Sequence, residues 1–300
     1  MDLDGIFSAY KGYRGVKPSG LAIDWIGFRI QDSWDLNKDP AEFAEYTPSP
    51  PDRNNEIFEW IDILRAVDEA RDRFTMLELG AGFGRWGFRA GLAAKQRNLP
   101  CHLIFAEPEP QHVEWIKAAA KLNGFGPHEI TVLDKALGYT RSQIPFIIGQ
   151  IGKDEFDASA WYGQAVGWEG SDLRRTDTSY FGKPVFIGDV GYSQIFVDCA
   201  SFEEMIDQLE HVDIVDVDIQ KAELDLVCNS MVSLTDRVSR VHIATHEPEI
   251  EVVVRERFTS AGWRLIWDFP CRTVSDTPYG PIAFDDGVQG WVNPNFRQQP

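Results

Sequence analysis

Residues 76–87 read MLELGAGFGRWG, an apolar run with an acid at Glu78, followed by glycine at every second position: Gly80, Gly82 and Gly84. A buried strand that turns through glycines into a helix lets a ligand approach the backbone and meet the free N–H groups of the helix start. What the stretch lacks narrows the ligand. The dinucleotide pattern GxGxxG needs a small residue three places after Gly82, and Arg85 stands there. A phosphate loop needs Lys and then Ser or Thr after the last glycine, and neither is present in register. A nucleoside other than a dinucleotide therefore suits the turn best, with an NAD-linked oxidoreductase as the competing class.

Around this turn the chain alternates apolar runs with amphipathic stretches. Strands are expected at 76–79, 102–106, 130–136, 214–218, 238–244 and 264–268, and helices at 85–96, 110–123, 223–231 and 250–261. Such an alternation predicts an α/β fold, a mostly parallel sheet with helices on both faces. A further helix starts near Asn54, with Asn54 or Asn55 as cap and Ile57, Ile61, Leu64 and Val67 on one face.

The second strand ends in the acid Glu107 of CHLIFAEPEP. A carboxylate there can accept hydrogen bonds from both hydroxyls of a ribose lying across the strand ends. The fourth strand carries Asp216 and Asp218 where a strand covered on both faces should be apolar. Their spacing of two predicts a common side, near the carboxyl edge where doubly wound folds bind ligands.

These motifs carry a resemblance. LELGAGFGRWG looks like motif I of the S-adenosylmethionine-dependent methyltransferases. Together with FAEPEPQHVEWIKAAAKLNG, DKALG and DIVDVDIQKAELDLV, it resembles the successive motifs of the FkbM-type methyltransferase family; RVHIATHEPEIE and TPYGPIAFDDGVQGWVNP look like a subgroup of it. The similarity covers roughly residues 74–294, apart from much of 138–192. Lys221 departs from the pattern, since the family has glycine there.

The resemblance implies a Rossmann-like class I methyltransferase fold, S-adenosylmethionine as donor, and O-methylation of a carbohydrate or secondary metabolite. It places Glu78, Gly80, Ala81, Gly82 and Gly84 in the cofactor loop, Glu107 at the ribose, Lys135 and Ala136 along the adenine edge, and Asp216 beside the cofactor. Asp218, Gln220 and Glu223 match the motif after the fourth strand, with Gln220 and Glu223 on the acceptor side.

An alcohol is a poor nucleophile at neutral pH, so O-methylation benefits from a general base or a metal. His246, just after the fifth strand, is a candidate base, the alternative being a histidine bonded to backbone at a helix entry. Asp218 is the other candidate. Asp216, Asp218 and Glu223 are an alternative Mg²⁺ ligand set, although hydrogen bonding explains them equally and no metal is the preferred reading. His242 reads as structural, and Trp86 and Trp115 as helix core.

Residues 138–192 interrupt the alternation with the glycine- and aromatic-rich stretch SAWYGQAVGWEGSD. Two readings stand level: a lid or acceptor-binding insertion, with Trp161, Tyr162 and Gln164 as an acceptor wall, or a β-rich decoration or oligomer contact. Residues 1–53 read as an irregular N-terminal arm, so that 54–300 form the main domain.

The net charge of −18 over 300 residues disfavours a nucleic-acid partner, and the expected acceptor is a small molecule or glycan. Cys101, Cys199, Cys228 and Cys271 are widely spaced and read as reduced thiols. No stretch approaches the roughly 20 apolar residues of a membrane span, and the chain reads as cytoplasmic. A homodimer through the arm is compatible with this reading. A non-catalytic interaction protein that keeps the fold is the third class considered.

Overall fold

The computed structural model describes residues 5–34, 41–140, 142–148, 173–188 and 193–296. Its centre is a seven-stranded sheet: β1 (Phe74–Leu79), β2 (Cys101–Ala106), β3 (Ile130–Leu133), β4 (Val212–Val217), β5 (Val238–Thr245), β6 (Arg264–Phe269) and β7 (Gly287–Val292). The spatial order is 3-2-1-4-5-7-6, with β7 antiparallel between β5 and β6 and every other pairing parallel. The sheet is thus mostly parallel, with helices on both faces, as the α/β alternation predicts. Every residue of β1 and of β4 is buried, as strands covered on both faces must be.

Alternate strand residues face two cores. Met76, Leu103, Phe105 and Ile214 point toward α1 (Ile57–Glu69), α2 (Arg85–Gln96) and α3 (Pro110–Leu122). Leu77, Leu79, Val215 and Val217 point toward α4 (Glu223–Asn229), α5 (Met231–Arg237) and α6 (Pro248–Ser260). Helix α1 is buried almost all round, because the N-terminal residues close over its outer side.

Residues 5–34, within the stretch read as an irregular N-terminal arm, thus pack into the core. Trp25, Phe28 and Trp34 are buried against α1, α2 and α3, each fully buried aromatic contributing about 2–3 kcal/mol. The Tyr10 hydroxyl donates to Leu64 O at 3.1 Å, and Arg89 pairs with Asp24 at 2.7 Å. Short strands pair Leu21–Ile23 with Arg29–Gln31, and Gly15–Lys17 with Phe43–Tyr46.

Several expectations are corrected. The strand expected at 130–136 breaks at Asp134 and Lys135, both exposed; Ala136–Leu137 instead pairs with Ser193–Ala200 outside the central sheet. Strand β7 has no counterpart among the expected strands. The helix expected at 223–231 is two helices meeting at Ser230. Asn54 does not cap α1 directly: its Oδ1 accepts from Glu56 N, and Glu56 precedes the helix. Within 138–192, the described residues form strands Gln143–Ile147, Arg174–Tyr180 and Lys183–Ile187, which join Ser193–Ala200 around a small core of Ile144, Phe146, Val185, Ile195 and Val197. The four cysteines are free: Cys101 and Cys271 are buried, Cys199 is partly buried and Cys228 is exposed. Among the described residues no helix is long and apolar enough to cross a membrane.

Candidate functional site

The site lies where β1 and β4 part at the carboxyl edge of the sheet. The turn from β1 to α2 runs through Gly80 (φ 78°), Gly82 (φ 55°) and Gly84 (φ 79°), all left-handed. A Cβ on Gly80 would run into the carbonyl oxygen of Asp218, so the glycine loop and the loop after β4 touch backbone to backbone. Helix α2 has no side chain capping it from its own N-cap residue. Glu78 does this from the strand: its Oε1 accepts from Trp86 N at 3.1 Å and its Oε2 from Gly87 N at 2.8 Å. Burial, and then the charge of Asp216, still hold the Glu78 carboxyl well above the usual range.

Glu107 ends just past β2 and is 4% exposed. Its Oε2 accepts from Gly82 N at 2.7 Å and its Oε1 from Glu109 N at 2.9 Å, which ties the glycine loop to the start of α3. Each carboxylate oxygen keeps a second acceptor direction. Lys135 and Ala136 line the same cleft, next to Phe146. His112 lines it too, 3.5 Å from Glu107, and stacks on Trp115, which stacks on Trp34.

Beneath the loop, three neighbouring strands carry polar residues in one row. Asp216 of β4 is in register with Glu78 of β1 on one side and His242 of β5 on the other. Side chains in register share a face, here the face under α1, which adds Glu59 and Asp62 one turn apart. His242 Nδ1 is 2.9 Å from Asp62 Oδ2, and Trp267 Nε1 donates to Asp62 Oδ1 at 3.0 Å. Burial and the neighbouring carboxylates push Asp216 up to about 6, despite the pull of His242, and raise Glu59 well above its usual range.

The loop after β4 forms the other wall. Asp218 and Gln220 line the cleft, and Gln220 (φ 50°) and Lys221 (φ 85°) both take left-handed backbone without being glycine. Lys221, which stands where the FkbM-type pattern has glycine, is thus left-handed, and it pairs with Glu247 at 2.7 Å. His246 lies between two acids: Nδ1 is 2.8 Å from Glu223 Oε1, and Nε2 is 3.2 Å from Asp218 Oδ1. The Gln220 amide is 2.9 Å from Nε2. Burial opposes the charged ring, but hydrogen bonds to Asp218 and Glu223 outweigh it and push His246 up to about 10.

The structure sorts the expected residues. Glu78, Gly80, Ala81, Gly82, Glu107, Lys135, Ala136, Asp216, Asp218 and Gln220 share one cleft, and Gly84 stands behind it against Phe88 and Phe105. Glu223 is corrected: it is 0% exposed beneath the loop, accepting from Ile219 N and holding His246, and cannot face an acceptor. Asp216, Asp218 and Glu223 do not converge on one ion, because Asp216 belongs with Glu59 and His242 while Asp218 and Glu223 belong with His246. Trp86, read as core, also lines the cleft. Trp161, Tyr162 and Gln164 lie outside the described residues. The sequence does not single out Phe146, His112 or Glu59: Phe146 sits in an apolar stretch without a motif, His112 is one residue of the amphipathic helix within FAEPEPQHVEWIKAAAKLNG, and Glu59 reads as an ordinary helix acid.

No protein-family model matches the sequence. A Jannaschia protein provisionally named a methyltransferase is 27% identical over 294 residues, which cover 96% of this chain and 97% of that one. Among solved structures, precorrin-6y C5,15-methyltransferase from Geobacter metallireducens aligns with a TM-score of 0.39 at 11% identity, over 77% of this chain and 85% of that one. Methyltransferase FkbM from Methylobacillus flagellatus gives 0.41 at 11%, over 78% and 54%. An rRNA methylase from Streptococcus thermophilus gives 0.42 at 8%, over 82% and 99%. The substrates named among these proteins differ.

Proposed function

We propose that the protein is an S-adenosylmethionine-dependent methyltransferase of the FkbM type. The observation that carries this reading is the meeting of the Gly80–Gly82 turn, Glu107 and the acids of β4 in one cleft at the carboxyl edge, where the strand order reverses. The residues suit the donor. The turn from Gly80 to Gly82 lines the cleft beside its methionine part, Glu107 offers paired acceptors to ribose hydroxyls, Ala136 and Phe146 give an apolar wall for the base, and Glu78 and Asp216 favour a cationic ligand. When bound, the donor supplies a methyl group on a sulfonium, open to in-line displacement.

The acceptor, in this reading, is a hydroxyl of a carbohydrate or secondary metabolite. His246, bracketed by Glu223 and Asp218, serves to orient Asp218. Asp218 is half exposed at the cleft and takes the hydrogen bond of the acceptor hydroxyl. Calorimetry with S-adenosylmethionine tests the donor. Binding by the wild type, lost in Gly82→Arg and weakened in Glu107→Ala, is expected; no binding by the wild type removes the proposal. Radiolabelled methyl transfer into fractionated extract, with mass spectrometry of the product, tests the acceptor.

A further inference from the structure

Glu59, Asp216 and His242 come from α1, β4 and β5, and each places one ligand atom within 4.8 Å of the other two. We propose that they form a site for a divalent first-row transition ion of the Zn²⁺ or Mn²⁺ kind. Two carboxylates and an imidazole are a mixed oxygen and nitrogen donor set, which suits such ions better than Mg²⁺.

The surroundings are built as a metal-binding histidine requires. Such a ring has its second nitrogen fixed by a carboxylate. His242 Nδ1 has Asp62 Oδ2 at 2.9 Å; Asp62 in turn is held by Trp267 Nε1 at 3.0 Å and has Arg240 at 3.8 Å. His242, Asp62 and Asp216 are all buried, and Glu59 is partly so. Neighbouring β7 makes room for this second layer: His242 is in register with Gly290, where a Cβ would press on Asp62 Oδ2 at 2.8 Å and on the Trp267 ring.

The charge distribution points the same way. Glu78, Asp216 and Glu59 bring three carboxyls together beneath the cleft, and the nearby guanidinium of Arg240 is spent on Glu69 at 2.6 Å and on Asp62. An ion bonded at about 2.0–2.2 Å to each ligand needs ligand atoms no more than about 4.4 Å apart, so a small movement of Glu59, the least buried of the three, closes the site. Three protein ligands leave a coordination position for water, and one of the three, Asp216, borders the cleft. The proposal does not depend on the donor: an ion could bind whether or not S-adenosylmethionine does.

The test uses the full chain after dialysis against EDTA. Calorimetric titration with ZnCl₂, and metal counting by plasma mass spectrometry, should give one ion per chain, with no heat from MgCl₂. Glu59→Gln should weaken binding about tenfold or more, and Asp62→Asn by about 10–100-fold through the freed histidine. Circular dichroism of Glu59→Gln verifies the fold, since its side chain is only partly buried. No Zn²⁺ binding by the wild type, or binding unchanged in both variants, overturns the proposal. Donor binding measured on the same EDTA-treated protein keeps the two readings apart: a protein that binds the donor but takes up no Zn²⁺ when titrated removes the metal alone.

Discussion

The carbonyl oxygen of Asp218 occupies the space that a Cβ on Gly80 would need, which makes the glycine turn and the loop after β4 one interlocked unit. Gly80 is also left-handed, at φ 78°. Gly80→Ala therefore carries both backbone strain and collision with an atom that cannot rotate away. It should cost about 2–4 kcal/mol in urea unfolding and abolish donor binding in calorimetry. A variant that unfolds like the wild type would show that the two loops are not locked.

Lys221 offers the opposite case. At φ 85° its side chain is strained, and its partner Glu247 is an exposed ion pair of small worth. Lys221→Gly should be neutral or stabilising by about 1 kcal/mol in the same unfolding experiment. A loss of more than that would mean that the ion pair, and not the backbone, decides the loop.

His246 gives a pH signature. Its value is raised from 6.5 in the unfolded chain to about 10 in the folded one, so the folded state binds the proton more tightly. The stabilisation is complete below 6.5 and drains away as pH rises toward about 10. Denaturant midpoints of the wild type should fall across that window, and those of His246→Gln should fall less. Parallel curves would remove the charged-ring assignment.

Asp216 works in the same sense, although it is an acid. Its folded value, about 6 against 3.8, means that stability is present below 3.8 and lost as pH rises through about 6. Asp216→Asn, in EDTA at pH 8, should therefore be more stable than the wild type by about 1–3 kcal/mol, the expected exchange of stability for a charged functional group. The same variant should lose Zn²⁺ binding. A destabilised Asn variant would show that the carboxylate is satisfied where it stands.

The sheet was readable where the chain repeats itself. Phe74–Leu79 and Val212–Val217 are mostly apolar stretches, broken by Thr75 and Glu78 and by Asp213 and Asp216, and the helical stretches between such strands follow the expected period. Gly287–Val292 was not readable, because GVQGWV contains two glycines and a glutamine whose fitness lies in its neighbours: Gly287 faces Glu251 and Thr245, Gly290 faces Trp267 and Asp62, and Gln289 donates to Glu251 O. The aromatics of the N-terminal stretch lack a period because they fill gaps between helices. For the site, the glycine turn and Glu107 announced themselves by local pattern. The row Glu78, Asp216, His242 did not, since each looks like an isolated exception until strand register aligns them.

The position of β7 also sets an order of events in folding. β5 and β6 are never neighbours; both bond only to the later strand between them on that side. Until residues 287–292 have left the ribosome, β6 has no place in the sheet and β5 presents an open row of N–H and C=O groups. The cleft is assembled from residues 78–222 and can form early, while His242 and Asp62 wait for the Gly290 and Trp267 layer. Nascent chains should thus pass through a stage in which the cleft exists beside an unpaired strand edge, the stage most exposed to aggregation.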